Sequence, residues 1–255
     1  MEEEQECIMH YSRSHKMLLV GKGDFSFSAC LARAFGSAKN MVSTSLDCRK
    51  TLMVKHPTAK ANFEELEKLS CTILHEVDCH TMNNHPFLKS TTFDRIIFNF
   101  PHAGFHYRHE HEQEQIICLP RLHQKVVKGF FRSARDMLTT NDEAHVTHKT
   151  SHPVNKWEVE KLANEAGLCL AKEVEFQIQD YPGYHNKRGD GNRSDESFPV
   201  GMCSTFKFIL HIQTIPACTS LDAVACMWLD RYDPIWKPKL RKTRSKHIFK
   251  EYFEI

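Results

Sequence analysis

The amino-acid sequence predicts an α/β fold: a mostly parallel sheet of seven strands with helices on both faces, closed by an antiparallel hairpin. Three observations carry this expectation. Short apolar runs alternate with amphipathic stretches five times over, the pattern of successive strand–helix units. The run "IIFNF" at 96–100 is nearly all apolar, as suits a strand covered on both faces. Near the end, "KEVEFQIQDY" and "STFKFILHI" alternate apolar with polar residues and are expected to pair across a long connection.

Taken in order, residues 1–15 are polar and are expected to form a flexible N-terminus. "MLLV", from Met17, is the first strand, and "FSACLARAF" the first helix, ended by Gly36. "MVSTSLD" is the second strand, closing on Asp47. Helical patterning over 49–69 breaks near Pro57, which cannot donate to a helix ladder. "CTILHEVD" is the third strand, closing on Asp78, and "FDRIIFNFPH" the fourth. Leu122, Val126, Val127, Phe130, Ala134 and Met137 then share one helix face, with a kink expected at Pro120. "EAHVTHKT" is the fifth strand. Val159, Leu162, Ala163 and Ala166 stripe the next helix, which Gly167 ends. The pattern is lost after about Thr214, so the domain is placed at 16–214 and a C-terminal extension at 215–255.

Composition narrows the function classes. Of 255 residues, 41% are hydrophobic, enough for a core, and 26% are charged, an ordinary polar surface. Net charge is only +2, so affinity for nucleic acid must come from local clustering. No apolar run reaches the length of a membrane span, and "MEEEQECIMH" is too acidic for a secretory leader. No membrane partner and no secretion are therefore expected. Ten cysteines without paired spacing read as reduced thiols of an intracellular protein.

The chemistry begins at "VGKGDFS". Gly21 and Gly23 let the backbone turn sharply and approach a ligand, and a helix opening near Ser26 aims free amides into the crevice. Gly21, Gly23, Asp24, Phe25 and Ser26 are thus candidate cofactor contacts. The third glycine of a dinucleotide fingerprint is missing, which weighs against a nicotinamide-dependent oxidoreductase. Asp47 ends the second strand where an acid accepts from ribose hydroxyls, and Asp78 ends the third where an adenine amino group is read. This order suits S-adenosyl-L-methionine, which has no pyrophosphate. "NFPH", Asn99, Phe100, Pro101 and His102, falls at the end of the fourth strand. It resembles the Asn/Asp-Pro-Pro-aromatic signature with which many methyltransferases hold a planar nitrogen.

With "VGKGDFSFS", "TSLD", "FDRIIFNFPHAGF", "HVTHKT" and "YPGYHNKRGDG" through "FPVGMCSTFKF", the chain resembles the eukaryotic, plant-like family of large-subunit rRNA uracil-N(3) methyltransferase-like proteins. The resemblance runs from about Met17 to Leu210. It implies a class I methyltransferase, Rossmann-like fold, S-adenosyl-L-methionine as donor, and a uridine of ribosomal RNA or a pre-ribosome as acceptor. It further implies residence in the nucleus or nucleolus, with the cytoplasm as alternative. Lys22 departs from the family, whose members commonly carry an acid between the glycines.

Methylating an imide nitrogen requires losing its proton, so a general base is sought. His102 is the first candidate, and His148 with Lys149 the second. Asn99 and the Phe100 carbonyl are expected to accept from the substrate, with Phe100 or Phe105 stacking on its ring. In the connection from 180 to 199, Tyr181 and Tyr184 are expected to stack bases, while Lys187, Arg188 and Arg193 meet phosphates. His106, His109 and His111 lack the partners of a zinc site, and no metal is expected. "KPKLRKTRSK", Lys237 to Lys246, is a basic tail: an RNA-binding arm or a nuclear address. A monomer is expected. The alternative function is a non-catalytic RNA or ribosome-assembly binding protein that keeps the fold, and Lys22 is the feature that points there.

Overall fold

Successive side chains of a strand point to opposite faces, and this divides the molecule into two cores. In a computed structural model, which describes residues 7–21, 23–104, 112–151 and 157–211 (of 112–119 the backbone alone), Leu18 and Ile96 pack to one side of the sheet. There they meet Val127, Phe130 and Phe131. Leu19 and Ile97 pack to the other side, against Phe27, Leu31 and Phe63.

The chain opens with a small hairpin, β1 (Cys7–Ile8) and β2 (Tyr11–Ser12). The main sheet follows: β3 (Met17–Leu19), α1 (Ser26–Phe35), β4 (Met41–Thr44), α2 (Arg49–Lys55), α3 (Ala59–Lys68), β5 (Thr72–Leu74) and β6 (Arg95–Asn99). Then come α4 (Glu112–Arg135), β7 (Glu143–Lys149), α5 (Val159–Glu165), β8 (Leu168–Glu175) and β9 (Cys203–Leu210). Strand order is β5-β4-β3-β6-β7-β9-β8. All neighbours are parallel except around β9, which runs antiparallel to both β7 and β8. The expected seven strands and closing hairpin are present, and the order reverses at β3, which opens a crevice beyond the carboxyl ends of β3 and β6.

Three expectations change. Residues 7–15 are not a loose end: Ile8 and Tyr11 are buried, and Tyr11 packs edge-on to Phe27. The strand in "KEVEFQIQDY" lies earlier, at Leu168–Glu175, because Gly167 (φ 85°) ends the helix and pairing with β9 starts at once. Asp47 and Asp78 stand three and four residues beyond their strands, in loops. Pro120 falls inside α4. Lys22, Phe105, His106, His109, His111 and the extension 215–255 lie outside the described residues. Among the described residues no helix is long and apolar enough to cross a membrane.

Candidate active site

Gly21 leaves β3 with φ 65°, and a Cβ there would stand 2.7 Å from the Phe98 ring. That approach lets the chain turn over β6 and deliver α1 to the crevice. Phe25 caps α1 in a left-handed conformation (φ 61°, ψ 11°) that phenylalanine rarely adopts, and it is held there by burial against Phe63. Asp24 does the capping. Its Oδ1 accepts from the Ser26 amide at 3.0 Å and the Ser26 hydroxyl at 2.7 Å. Asp24 is 4% exposed, and its Oδ2 has no hydrogen-bond partner among the described residues.

A cavity of about 470 Å³ opens at this point, within the roughly 300–1,000 Å³ typical of small-molecule sites. Gly21, Gly23, Asp24, Phe25, Ser26, Asp47, Asp78, Asn99, Phe100, His102, Tyr184, Lys187 and Arg188 all line it. Asp47 accepts from Lys55 Nζ through both oxygens, at 3.0 and 3.1 Å, and Lys55 reaches Asp190 Oδ1 at 3.4 Å. Burial works against charge on Asp78, but bonds from the His80 amide and ring outweigh it and hold the carboxyl below its ordinary range. Val77, Phe98 and Val126 supply apolar wall. Cys79 is buried, which pushes its thiol up to about 12 and keeps it protonated. Asp78, Cys79 and His80 bring three ligand-type atoms within 4.8 Å of one another.

Three features fit S-adenosyl-L-methionine: an orphaned buried carboxylate oxygen at the start of α1, a second acid in the next loop and a third in the loop after. Burying a carboxylate oxygen without a donor is costly, so Asp24 suits a cationic amino group.

The turn after β6 holds the reacting end. Asn99 lies level with Thr147 on β7, whose hydroxyl donates to Asn99 Oδ1 at 3.1 Å and also meets Thr205 at 3.0 Å. The acceptor oxygen expected to face the substrate is therefore engaged. What remains is Asn99 Nδ2, a donor, without a hydrogen-bond partner of standard geometry among the described residues. It lies close enough to the Tyr184 hydroxyl to favour that group's ionised form, although burial dominates and raises the hydroxyl overall. Phe100 is again left-handed (φ 49°), pinned by its amide to the Thr147 carbonyl at 2.8 Å. Pro101 is buried behind it.

His102 lines the cavity, but its Nδ1 accepts from the Gly104 amide at 2.9 Å, and desolvation of the ring lowers its pKa although the residue as a whole is exposed. In the neutral ring the proton is then on Nε2, so His102 presents a donor rather than the lone pair expected of a base. Next to it His123 accepts from the Ala103 amide at 3.0 Å and stacks on Trp157 at 4.2 Å. His148 does not join the cavity. It projects from the other face of β7 onto Trp157, and burial pushes it down to about 4. Lys149 is also elsewhere, donating to the Pro199 carbonyl at 2.6 Å over the Phe198 ring.

The connection from 180 to 202 folds back over the crevice. Tyr181, expected to stack bases, is 3% exposed and stacks on Phe176 instead. The expected phosphate contacts are internally paired: Lys187 with Asp195 at 3.0 Å, Arg193 with Glu196 at 2.5 Å, and Arg188 with Glu196 at 3.8 Å. Ser194 donates to the Lys55 carbonyl and Asp195 meets His56, so the segment docks on the end of α2. Lys55, His56, Asp190 and Thr147 were not singled out from the sequence. Only Thr147 had a readable signal, its alternation with His148 on a strand beside Asn99.

Strand order and crevice together define a class I methyltransferase fold. A family model described as rRNA (uridine-N3-)-methyltransferase BTM5-like matches residues 18–188, and the chain belongs to this BMT5-like family. It is 46% identical over 82% of its length to an uncharacterized protein of Arabidopsis thaliana, spanning 99% of that protein. It is 47% identical over 81% of its length to heavy metal-associated isoprenylated plant protein 41 of the same organism, but spans only 39% of that relative. The 25S rRNA (uridine(2634)-N(3))-methyltransferase of Saccharomyces cerevisiae is 24% identical over 72% of this chain and 69% of the yeast one.

Proposed function

We propose that this protein is an S-adenosylmethionine-dependent methyltransferase acting on N-3 of a uridine in large-subunit ribosomal RNA, in the nucleolus or another nuclear site. The observation that carries the reading is the Asn99 amide: a donor in the cavity wall, fixed by Thr147, in the same cavity as Asp24, Asp47 and Asp78. Family membership and the activity of the yeast relative support the substrate class.

The donor, when bound, supplies an electrophilic methyl group. Asp24 Oδ2 would hold its amino group, Asp47 its ribose hydroxyls, and Asp78 its adenine amino group. The chain's own part in the chemistry is to bind the uracil and ease loss of its imide proton. N-3 lies between two carbonyls, and its anion places charge on both oxygens. Asn99 Nδ2 and His102 Nε2 donate to those oxygens and so favour the ionised imide, whose proton passes to solvent before N-3 takes the methyl group. Phe100 and Tyr184 present aromatic surface to the base.

Two measurements test this. Calorimetry with S-adenosylmethionine and its demethylated product should give binding that Asp47→Ala weakens. Labelled donor should transfer methyl to rRNA lacking the modification, recovered as 3-methyluridine. The engagement of both Asp47 oxygens by Lys55 favours a second reading, a non-catalytic RNA or ribosome-assembly binding protein. RNA binding without donor binding selects it.

A further inference from the structure

The cations first assigned to RNA phosphates are tied to Asp195 and Glu196, which leaves the nucleic acid without a charged track on that side. Another track exists. Arg121, Lys125, Lys128, Arg132 and Arg135 recur on α4 at steps of four, three, four and three, which is one face of a helix. The opposite face carries Val127, Phe130, Phe131 and Ala134 into the core. No Asp or Glu occurs from Pro120 to Arg135. Glu165 of α5 pairs with Lys128, and Asp136 pairs with Arg135. Arg121, Lys125 and Arg132 are exposed and make no ion pair among the described residues. Lys161 and Arg132 also lie near enough to Glu165 to help lower its pKa, and Lys161 pairs with Glu158.

Like charges three and four apart repel and weaken a helix. A solvated face ordinarily relieves this by mixing signs. This one does not, in a chain whose net charge is only +2. The helix that carries the stripe also reaches the cavity through its other face: His123 bonds the Ala103 amide, and Val126 lines the cavity wall. The stripe runs about 21 Å along the helix, at about 1.5 Å per residue.

We propose that the exposed face of α4 is the phosphate track for the RNA strand whose uridine enters the cavity, with Arg121, Lys125 and Arg132 as its main contacts. This rests on the RNA methyltransferase reading above. Phosphate contacts set affinity and register without reading sequence, and each one lost lowers the salt dependence of binding.

The test uses the full chain and a fluorescein-labelled single-stranded transcript of large-subunit rRNA, titrated by anisotropy across a series of KCl concentrations. The triple variant Arg121→Gln/Lys125→Gln/Arg132→Gln should lower the slope of log K against log salt by about two, at roughly 0.7 per phosphate contact. Its affinity for S-adenosylhomocysteine by calorimetry should match the wild type, which also shows that it folds. A second variant replaces Lys237, Lys239, Arg241, Lys242, Arg244 and Lys246 with glutamine. An unchanged slope in the α4 variant, or a slope lost only with the tail variant, overturns the proposal while the methyltransferase reading stands. Wild-type protein that binds the cofactor but no RNA overturns both.

Discussion

Asn99 shows how much a single contact decides. Its place at the end of a strand and before Pro101 was readable from "NFPH", and the planar-substrate role is the one proposed above. Which end of the amide meets the substrate was not readable, because that depends on Thr147 standing opposite in the register of β6 and β7. The consequence is testable. Asn99→Ala should reduce methyl transfer by about 10²–10³-fold, the usual cost of removing one donor from a developing negative charge, with cofactor affinity little changed. Asn99→Asp, which can only accept, should be at least as damaging. His102 offers a sharper division of roles. If it donates to a carbonyl, His102→Gln retains most of the activity that His102→Ala loses, and the pH profile keeps its shape. A general base would lose activity equally in both variants and shift the acid limb of the profile. Lys55 escaped sequence reading for the opposite reason: it carries no motif, and its importance comes from folding that brings Asp47 and Asp190 to it from distant positions.

At the scale of elements, periodicity located the strands and helices of the main sheet apart from β8, which starts earlier than expected. The helix stripes at Val127–Ala134 and Val159–Ala166 and the buried run of β6 could hardly be read otherwise. Loops were harder. The connection from 180 to 199 was expected to close over the crevice with its lysines and arginines on RNA phosphates, because the acidic partners of those cations could not be read from the sequence. In the fold, Ser194, Asp195 and Asp190 fasten this segment to Lys55 and His56. Lys55→Met removes the cation shared by Asp47 and Asp190. Amide hydrogen exchange over 186–195 should then quicken, while exchange in β7 and β9 stays as in the wild type.

The whole molecule carries a buried polar cluster two residues along β7 from Thr147. His145, fully buried, bonds Glu143 through Nε2 at 2.8 Å and meets the Tyr11 hydroxyl at 3.2 Å, with His10 packed against its ring. Burial pushes His145 down to about 4 and His10 to about 3, while the bond from His145 holds Glu143 down at about 2. A histidine with a depressed folded pKa is protonated more readily when unfolded, so it destabilises the native state as pH falls below about 6.5. Glu143 acts in the same direction, its contribution present above about 4.5 and lost as pH falls towards 2. Thermal unfolding should therefore show Tm falling by several degrees from pH 7 to pH 5, at about 2–4 °C per kcal/mol for a domain of this size. His145→Gln should flatten that dependence. Nothing in the sequence marked these residues as a group, since "HVTHKT" reveals a strand but not the hairpin that covers it.

Strand β9 lies between β7 and β8 and is the last of the three to be made. It pairs six residues to one neighbour and seven to the other. During synthesis both neighbours must wait with bare backbone edges until residue 210 has emerged, and such edges invite pairing with other chains. A chain cut before Cys203 should accumulate as aggregate, whereas one cut after Ile212 should remain dispersed and bind the cofactor. This architecture makes maturation an all-or-none event decided by its final eight-residue piece.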